Sequence, residues 1–377
     1  MRRALLAAVL LLPGCGASPA GTQWRSSAAQ PMDSLRAAPV QDATCRQVLR
    51  LSAGGERVRL LLSNALSPTP LRLAAATVGV RSQAAAAEPG SLRRITVGGA
   101  GSFVVPPGQQ VTTDAVHLAT EHGDELLVSF AVQGTARLTA HLIGARTGWC
   151  SAAGSGDLTG DQDARAFVLG ERAALVVEDA AVAARGAAPT VVAAGDSLTD
   201  APLPPDHRPR WTDVLADRLD GAPVANAAIA GNRVLLPGGL GDPLVRRFDR
   251  DVLRRDGVGT VVLLAGTNDL ARDVGAPRLQ RELTRLCQAA RERGLRVVLA
   301  TIPPAGGRTA RQQADRRAVN AWIRRQTPAD LVVDADAVLR DPRVPERLAA
   351  VYDSGDGLHL SAAGHRVLGE AVADVLR

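Results

Sequence analysis

From residue 185 onward, five short and mostly apolar runs alternate with longer amphipathic stretches. The runs are Val191-Val192-Ala193, Val224-Ala225-Asn226, Val261-Val262-Leu263-Leu264, Val297-Val298-Leu299-Ala300 and Leu331-Val332-Val333. Apolar runs this short, with no polar alternation, read as strands buried on both faces. The stretches between them, at 211–219, 279–293, 310–325 and 362–376, carry helical spacing. Strands and helices in alternation have one common packing solution, a mostly parallel sheet covered by helices on both faces. Residues 185–377 are therefore expected to form an α/β domain.

The preceding region has a different pattern. Between 41 and 184 the segments 48–51, 58–62, 71–73, 95–97, 126–130 and 138–142 are β-branched or alternating. Gly54-Gly55, Pro68 and Pro70, Gly98-Gly99 and Pro106-Pro107-Gly108 separate them. Short strands with such punctuation suggest an all-β sandwich domain. Residues 16–40 are small and polar without clear period, and read as a linker. Residues 1–15 have the form of an export signal: Arg2-Arg3, then an apolar run from Ala4 to Leu12 too short to span a bilayer. Leu12-Pro13-Gly14-Cys15 resembles a bacterial lipobox, with Cys15 as the lipidated residue; an ordinary secretory signal is the alternative. The expected location is the outer face of the cytoplasmic membrane, or outside the cell. Membrane contact is expected only through Cys15.

The formal charge of +6 has little bearing on partners. All the basic residues are arginines, and they are interleaved with acids, as in Arg246-Arg247-Phe248-Asp249-Arg250-Asp251. A nucleic-acid partner would need the charge gathered on one face, so none is expected. Export implies an oxidising compartment. Cys45 and Cys150 bracket the β region and are paired here as a disulfide; three buried thiols are the alternative. Cys287 lies in a helical pattern and reads as a buried free thiol. No zinc-spaced cysteine pair or HExxH pattern occurs, and neither metal nor cofactor is expected. The chain is expected to act as a monomer.

Four blocks carry the chemistry: Gly195-Asp196-Ser197-Leu198, Ala230-Gly231-Asn232, Gly266-Thr267-Asn268-Asp269 and Asp356-Gly357-Leu358-His359. The first three follow the first three strands, at the carboxyl ends where open α/β sheets bind ligands. The fourth precedes the last helix. Ser197 needs a base to become a nucleophile. His359 is the best candidate of the six histidines, because Asp356 stands three residues before it and can orient its ring. The N–H groups of Ser197 and Gly231 and the side-chain amide of Asn268 can serve as an oxyanion hole. His117, His122 and His141 belong to the β region and read as ordinary surface or core histidines. Trp211, at a helix start, reads as packing.

These blocks resemble those of the SGNH hydrolases, also called the GDSL esterase/lipase family. Ser197, Gly231, Asn268 and His359 match its four letters in turn, and Asp356 matches its Asp-x-x-His. The resemblance implies a flavodoxin-like three-layer α/β/α domain and a metal-independent serine esterase. Asn226-Ala227-Ala228-Ile229-Ala230-Gly231-Asn232-Arg233 further resembles a secreted actinobacterial branch that carries an N-terminal β-domain, whose start Arg46-Gln47-Val48-Leu49-Arg50-Leu51 resembles. Ala194 and Leu360 depart from the family, where a bulkier residue and proline are common. The expected function is hydrolysis of carboxylic esters through an acyl-serine, with acetyl or other short acyl esters of carbohydrate as first substrate. The substrate is then a small molecule or a polysaccharide. Lipid or aryl esters are the alternative within the same mechanism. A non-catalytic polysaccharide-binding protein is the alternative outside it. A metal-dependent hydrolase ranks last.

Overall fold

A computed structural model describes residues 22–143, 148–186, 188–201, 209–326 and 328–377. Cys15 and the rest of the expected export signal lie outside the described residues. None of the helices described is long and apolar enough to cross a membrane.

Two antiparallel sheets form the N-terminal sandwich. One runs in the order Thr22–Ala29, Val177–Arg185, Gly55–Ser63, Gln110–Thr112, with Val116–Thr120 also paired to Gly55–Ser63. The other is centred on Thr44–Arg50, Glu125–Val132 and Leu71–Gln83. Alternate residues of both sheets, among them Val58, Leu60, Leu62, Leu73, Leu126, Val128 and Phe130, meet in one buried core. With so few aromatics, Leu and Val supply most of that volume. A disulfide joins Cys45 to Cys150 across neighbouring strands, where the two residues stand directly opposite each other. Cys287 is free and buried in its helix, and burial pushes its thiol up to about 12.

The linker expected over 16–40 needs correction. Residues Thr22–Ala29 form a strand that pairs along Val177–Arg185, and Ser34–Leu35 and Val40–Gln41 are also strand. The small polar side chains that suggested a tether are what a strand wedged between two domains requires. Ser26 Oγ donates to Asp179 (2.7 Å), Ser27 Oγ to the carbonyl of Ala53 (2.8 Å), and Gln30 Nε2 to the carbonyl of Val177 (2.6 Å). Each hydroxyl or amide is buried with a partner, so none carries an unmet desolvation cost. Residues 95–97 also depart from expectation: the strand stops at Arg93–Arg94, and Val97 makes only an isolated bridge to Ala100.

Residues 190–333 supply a five-stranded, wholly parallel sheet. Its order is Val224–Asn226, Thr190–Gly195, Val258–Leu264, Arg296–Ala300, Leu331–Val333, or 2-1-3-4-5 in chain order. This is the flavodoxin-like order. One face packs against Ala276–Glu292 and Ala310–Gln326, the other against Trp211–Arg218, Ala335–Leu339 and Ala362–Leu376. The strand order reverses around the first strand. A crevice therefore opens at its carboxyl end, between the loops that leave strands one, two and three.

Candidate active site

Three of the four sequence blocks line that crevice. Gly195 ends the first strand so close to its neighbour that a Cβ would meet the carbonyl oxygen of Leu264 at 2.1 Å. Only glycine fits there. The chain then turns into the short helix Ser197–Asp200, capped by Asp196, whose carboxylate accepts from the N–H of Leu198 (3.1 Å). Ser197 thus stands at a helix start, where the N–H has no carbonyl partner within the helix. Gly231 lies on the loop after the second strand with φ +71°. Asn268 lies in the first turn after the third strand, and its amide donates to the carbonyl of Asn232 (2.9 Å). That bond uses one amide proton and leaves the other for a ligand.

The fourth block arrives from the loop before the last helix. His359 Nε2 lies 2.9 Å from Ser197 Oγ, and its Nδ1 lies 2.6 Å from an oxygen of Asp356. The other oxygen of Asp356 accepts from the backbone N–H groups of His359 (2.8 Å) and Leu358 (2.9 Å). Partial burial would raise the Asp356 carboxyl. The bonds from the His359 ring and from these two N–H groups outweigh it and hold the group at about 2. Asp356 is therefore anionic at neutral pH, which favours the Nδ1–H tautomer of His359 and leaves Nε2 to accept from Ser197. His365 is not part of the relay. Burial, then the nearby Arg210 charge, lowers it to about 4, and its Nδ1 accepts from the N–H of Trp211 (3.4 Å). Trp211 is buried and donates to Thr199 Oγ1 (3.3 Å), which is a packing role. Among the described residues, no group of three or more His, Cys, Asp or Glu is arranged to hold a metal ion.

Residues 193–367 match the family model for GDSL-like lipase/acylhydrolase. These residues form a GDSL-like hydrolase domain. The enzyme is a serine ester hydrolase. No curated protein sequence matches the chain. Among solved structures, a protein of G-D-S-L family from Desulfitobacterium hafniense DCB-2 is 23% identical, covering 50% of this chain and 99% of its own, with a TM-score of 0.41. Est24, a carbohydrate acetylesterase from Sinorhizobium meliloti, is 19% identical over 50% of this chain and 97% of its own (TM-score 0.40). An acetyl xylan esterase from Geobacillus stearothermophilus is 22% identical over 50% and 94%, respectively (TM-score 0.38).

Beneath the GDSL site lie residues that the sequence did not reveal as functional. Arg247 is fully buried and spreads one guanidinium over the loops that leave the first and second strands. It donates to the carbonyls of Ala227 (2.7 Å) and Gly195 (3.2 Å) and to Asn232 Oδ1 (3.1 Å), and it pairs with Asp251 (3.3 Å). Asp269 accepts from the N–H groups of Val234 (2.7 Å) and Leu235 (3.0 Å), tying the third loop to the second. Asp196 has one carboxylate oxygen buried without a hydrogen-bond partner. Burial, reinforced by the charge of Asp269, raises this carboxyl to about 7. Arg247 carried a signal that went unread. It falls four residues before Asp251 on a face shared with Leu244, Phe248 and Val252, all buried, where a charge needs a reason.

Proposed function

We propose that this chain is an exported esterase that removes short acyl groups, acetyl first, from carbohydrate, using Ser197, His359 and Asp356. The observation that carries the mechanism is the unbroken relay Ser197 Oγ–His359–Asp356 at the point where the sheet order reverses. His359 Nε2 takes the proton of Ser197 as Oγ bonds to the ester carbonyl carbon. The carbonyl oxygen becomes an oxyanion, stabilised by the N–H groups of Ser197 and Gly231 and by the Asn268 amide. Collapse breaks the bond to the alcohol, which leaves with the proton from His359. Water, deprotonated by the same ring, then releases the acid and restores Ser197. Each oxyanion donor is worth about 10²–10³ in turnover.

The loops around Ser197 support a small acyl group and a polar alcohol. Among the described residues, the large apolar side chains that are exposed, such as Val104, Val168 and Val344, all lie outside residues 229–236, 266–270, 301–309 and 353–360. Arg233, Asn268, Arg308 and His359 present polar groups there instead. A long acyl chain would need an apolar groove. The export signal read in residues 1–15 supports a substrate outside the cytoplasm.

The test compares wild type with Ser197→Ala on p-nitrophenyl acetate, acetylated xylo-oligosaccharides and long-chain esters. Deacetylation by wild type and its near-complete loss in a folded Ser197→Ala protein is the expected result. Good turnover of long-chain esters with no carbohydrate deacetylation would overturn the substrate. Equal activity in both proteins would overturn the site.

A further inference from the structure

His141 closes the short strand Thr139–His141 of the sandwich, and its side chain is wholly buried. The ring lies between two acceptors. Nδ1 is 2.8 Å from the carbonyl oxygen of Pro31, and Nε2 is 3.0 and 3.2 Å from the two oxygens of Asp200. The carboxylate of Asp33 stands 3.8 Å from Nδ1. A carbonyl can only accept, so Nδ1 donates to Pro31. A proton also lies between Nε2 and Asp200, because two bare acceptors at that distance repel.

Asp200 is as deeply buried as His141, and it belongs to the hydrolase domain. Its N–H closes the helical turn that starts at the nucleophile, donating to the carbonyl of Asp196 (2.9 Å). Its side chain accepts from the N–H of Ala230 (2.9 Å), and the next residue is Gly231. One carboxylate therefore ties the nucleophile turn to the second oxyanion loop, and a histidine from the other domain grips that carboxylate.

We propose that His141 is a positioning residue of the active site: by fixing Asp200, it makes the N–H groups of Ser197 and Gly231 converge on one oxyanion. This rests on the serine-esterase reading above. Oxyanion donors work only when their placement is set before the reaction, within about 0.5 Å. A buried carboxylate that loses one of its partners shifts, binds water or takes up a proton, and each response weakens its hold on Ala230. The sandwich domain is then part of the catalytic apparatus, joined to it at a named bond.

The experiment uses the full chain and two readouts: kcat and KM on p-nitrophenyl acetate, and the rate of labelling by a fluorophosphonate. Labelling needs the nucleophile and the oxyanion hole but not the natural substrate. Variants are His141→Phe, His141→Gln, Asp200→Asn and, as control, His122→Phe. His122 also crosses the domain boundary, bonding the carbonyl of Ser52 (2.7 Å) and Asp217 (2.8 Å), and its partners lie outside the active-site loops. His141→Phe should lower kcat and the labelling rate about 10- to 100-fold with KM within about twofold. His141→Gln, which keeps one donor, should recover part of the loss. His122→Phe should stay within about twofold of wild type even where its melting temperature falls as far. Should His141→Phe not fold, Asp200→Asn decides. It keeps the acceptor for Ala230 and removes the charge that His141 grips, and should be slowed at least about 10-fold. Wild-type rates in His141→Phe, or in Asp200→Asn, or equal losses in His141→Phe and His122→Phe, would overturn the inference. Wild type that fails to label, or labels no faster than Ser197→Ala, would overturn the esterase reading and this inference with it.

Discussion

Replacing Arg247 with methionine should damage stability and catalysis together, and the structure sets the size of both effects. The guanidinium has four partners and no exposure. Methionine fills much of its volume but donates nothing. Breaking a buried ion pair costs about 3–5 kcal/mol when the remaining charge is stranded. Here Asp251 retains Arg250, whose Nε and Nη2 donate to it at 2.6 and 3.2 Å, so the ionic part falls at or below the lower end. The carbonyl of Gly195 also keeps the N–H of Ile229 (3.3 Å). The carbonyl of Ala227 and the side-chain oxygen of Asn232 lose this donor, at about 1–3 kcal/mol each where nothing replaces it. A net loss of about 3 kcal/mol or more follows, equivalent to roughly 10 °C or more in melting temperature for a domain of this size. Because the released atoms belong to the serine and oxyanion loops, kcat should fall more than about 10-fold with little change in KM. Arg247→Lys separates the two effects. Lysine keeps the charge for Asp251 but cannot reach three divergent acceptors from one nitrogen. It should recover part of the stability and little of kcat. Thermal denaturation with p-nitrophenyl acetate kinetics reads both. A methionine variant melting within about 2 °C of wild type, or a lysine variant with wild-type kcat, would refute the reasoning.

Asp356→Asn should keep the backbone bonds from Leu358 and His359 but lose the charge that sets the His359 tautomer. A fall in kcat of about 10²–10⁴ is expected by steady-state kinetics, and a fall below threefold would exclude the relay. The raised Asp196 carboxyl, at about 7, and Asp179, raised by burial to about 6, bind protons in the folded state that the unfolded chain has released. Stability from this source is greatest below about pH 4 and declines as pH rises towards 7, by at most about 1.4 kcal/mol per pH unit for each group. Urea unfolding across that range should show a shallower decline in Asp196→Asn; an unchanged slope would contradict the burial argument. Reducing the Cys45–Cys150 bridge, which spans 105 residues, should cost about 2–4 kcal/mol, read as a lower urea midpoint for the double alanine variant. Cys287 should stay unreactive to a thiol reagent until the chain unfolds, and rapid native labelling would contradict its burial.

The placement of the four sequence blocks was legible because it depends on periodicity and order. Five apolar runs fix the strands, and chemistry that follows the first three must share one rim once the order 2-1-3 is adopted. Contacts between the halves were not legible. Thr22–Ala29 lacks the β-branched signature of a strand and has the composition of a tether, since small side chains are needed where a strand is pressed against a second domain. His141 lies in an ordinary strand pattern, Leu138-Thr139-Ala140-His141-Leu142, and its partner is 59 residues away. Arg247 and Asp251 sit in a run of alternating charges that resembles a solvated surface. Only their apolar neighbours at helical spacing distinguish the buried pair from the exposed ones. Local pattern reports an element and its buried face; it says little about which polar group will cross a boundary to meet another.

Across that boundary, buried ion pairs tie the sandwich to the hydrolase domain. Arg255 of the hydrolase domain is almost wholly buried, pairs with Glu178 (2.8 Å) and Asp179 (3.4 Å) of the sandwich, and donates to the carbonyl of Asp251 (2.8 Å). Arg59 of the sandwich holds Asp256 through two nitrogens (2.5 and 3.2 Å). Buried charges are tolerated only when paired, so separating the halves would strand Arg255, Glu178 and Asp179 together. A mobile hinge would not be built this way, since each opening would meet that cost. The same polar seam leads inward to the site. From Glu178 it passes through Arg255 and Asp251 to Arg247, and so to the carbonyls beneath Ser197 and Gly231. On the other flank it passes from Pro31 through His141 and Asp200 to Ala230. The loops that carry Ser197 and Gly231 are thus bonded from two sides by groups anchored in, or paired to, the sandwich. An accessory domain joined by buried ion pairs is a physical means of holding short loops in place at the end of a sheet.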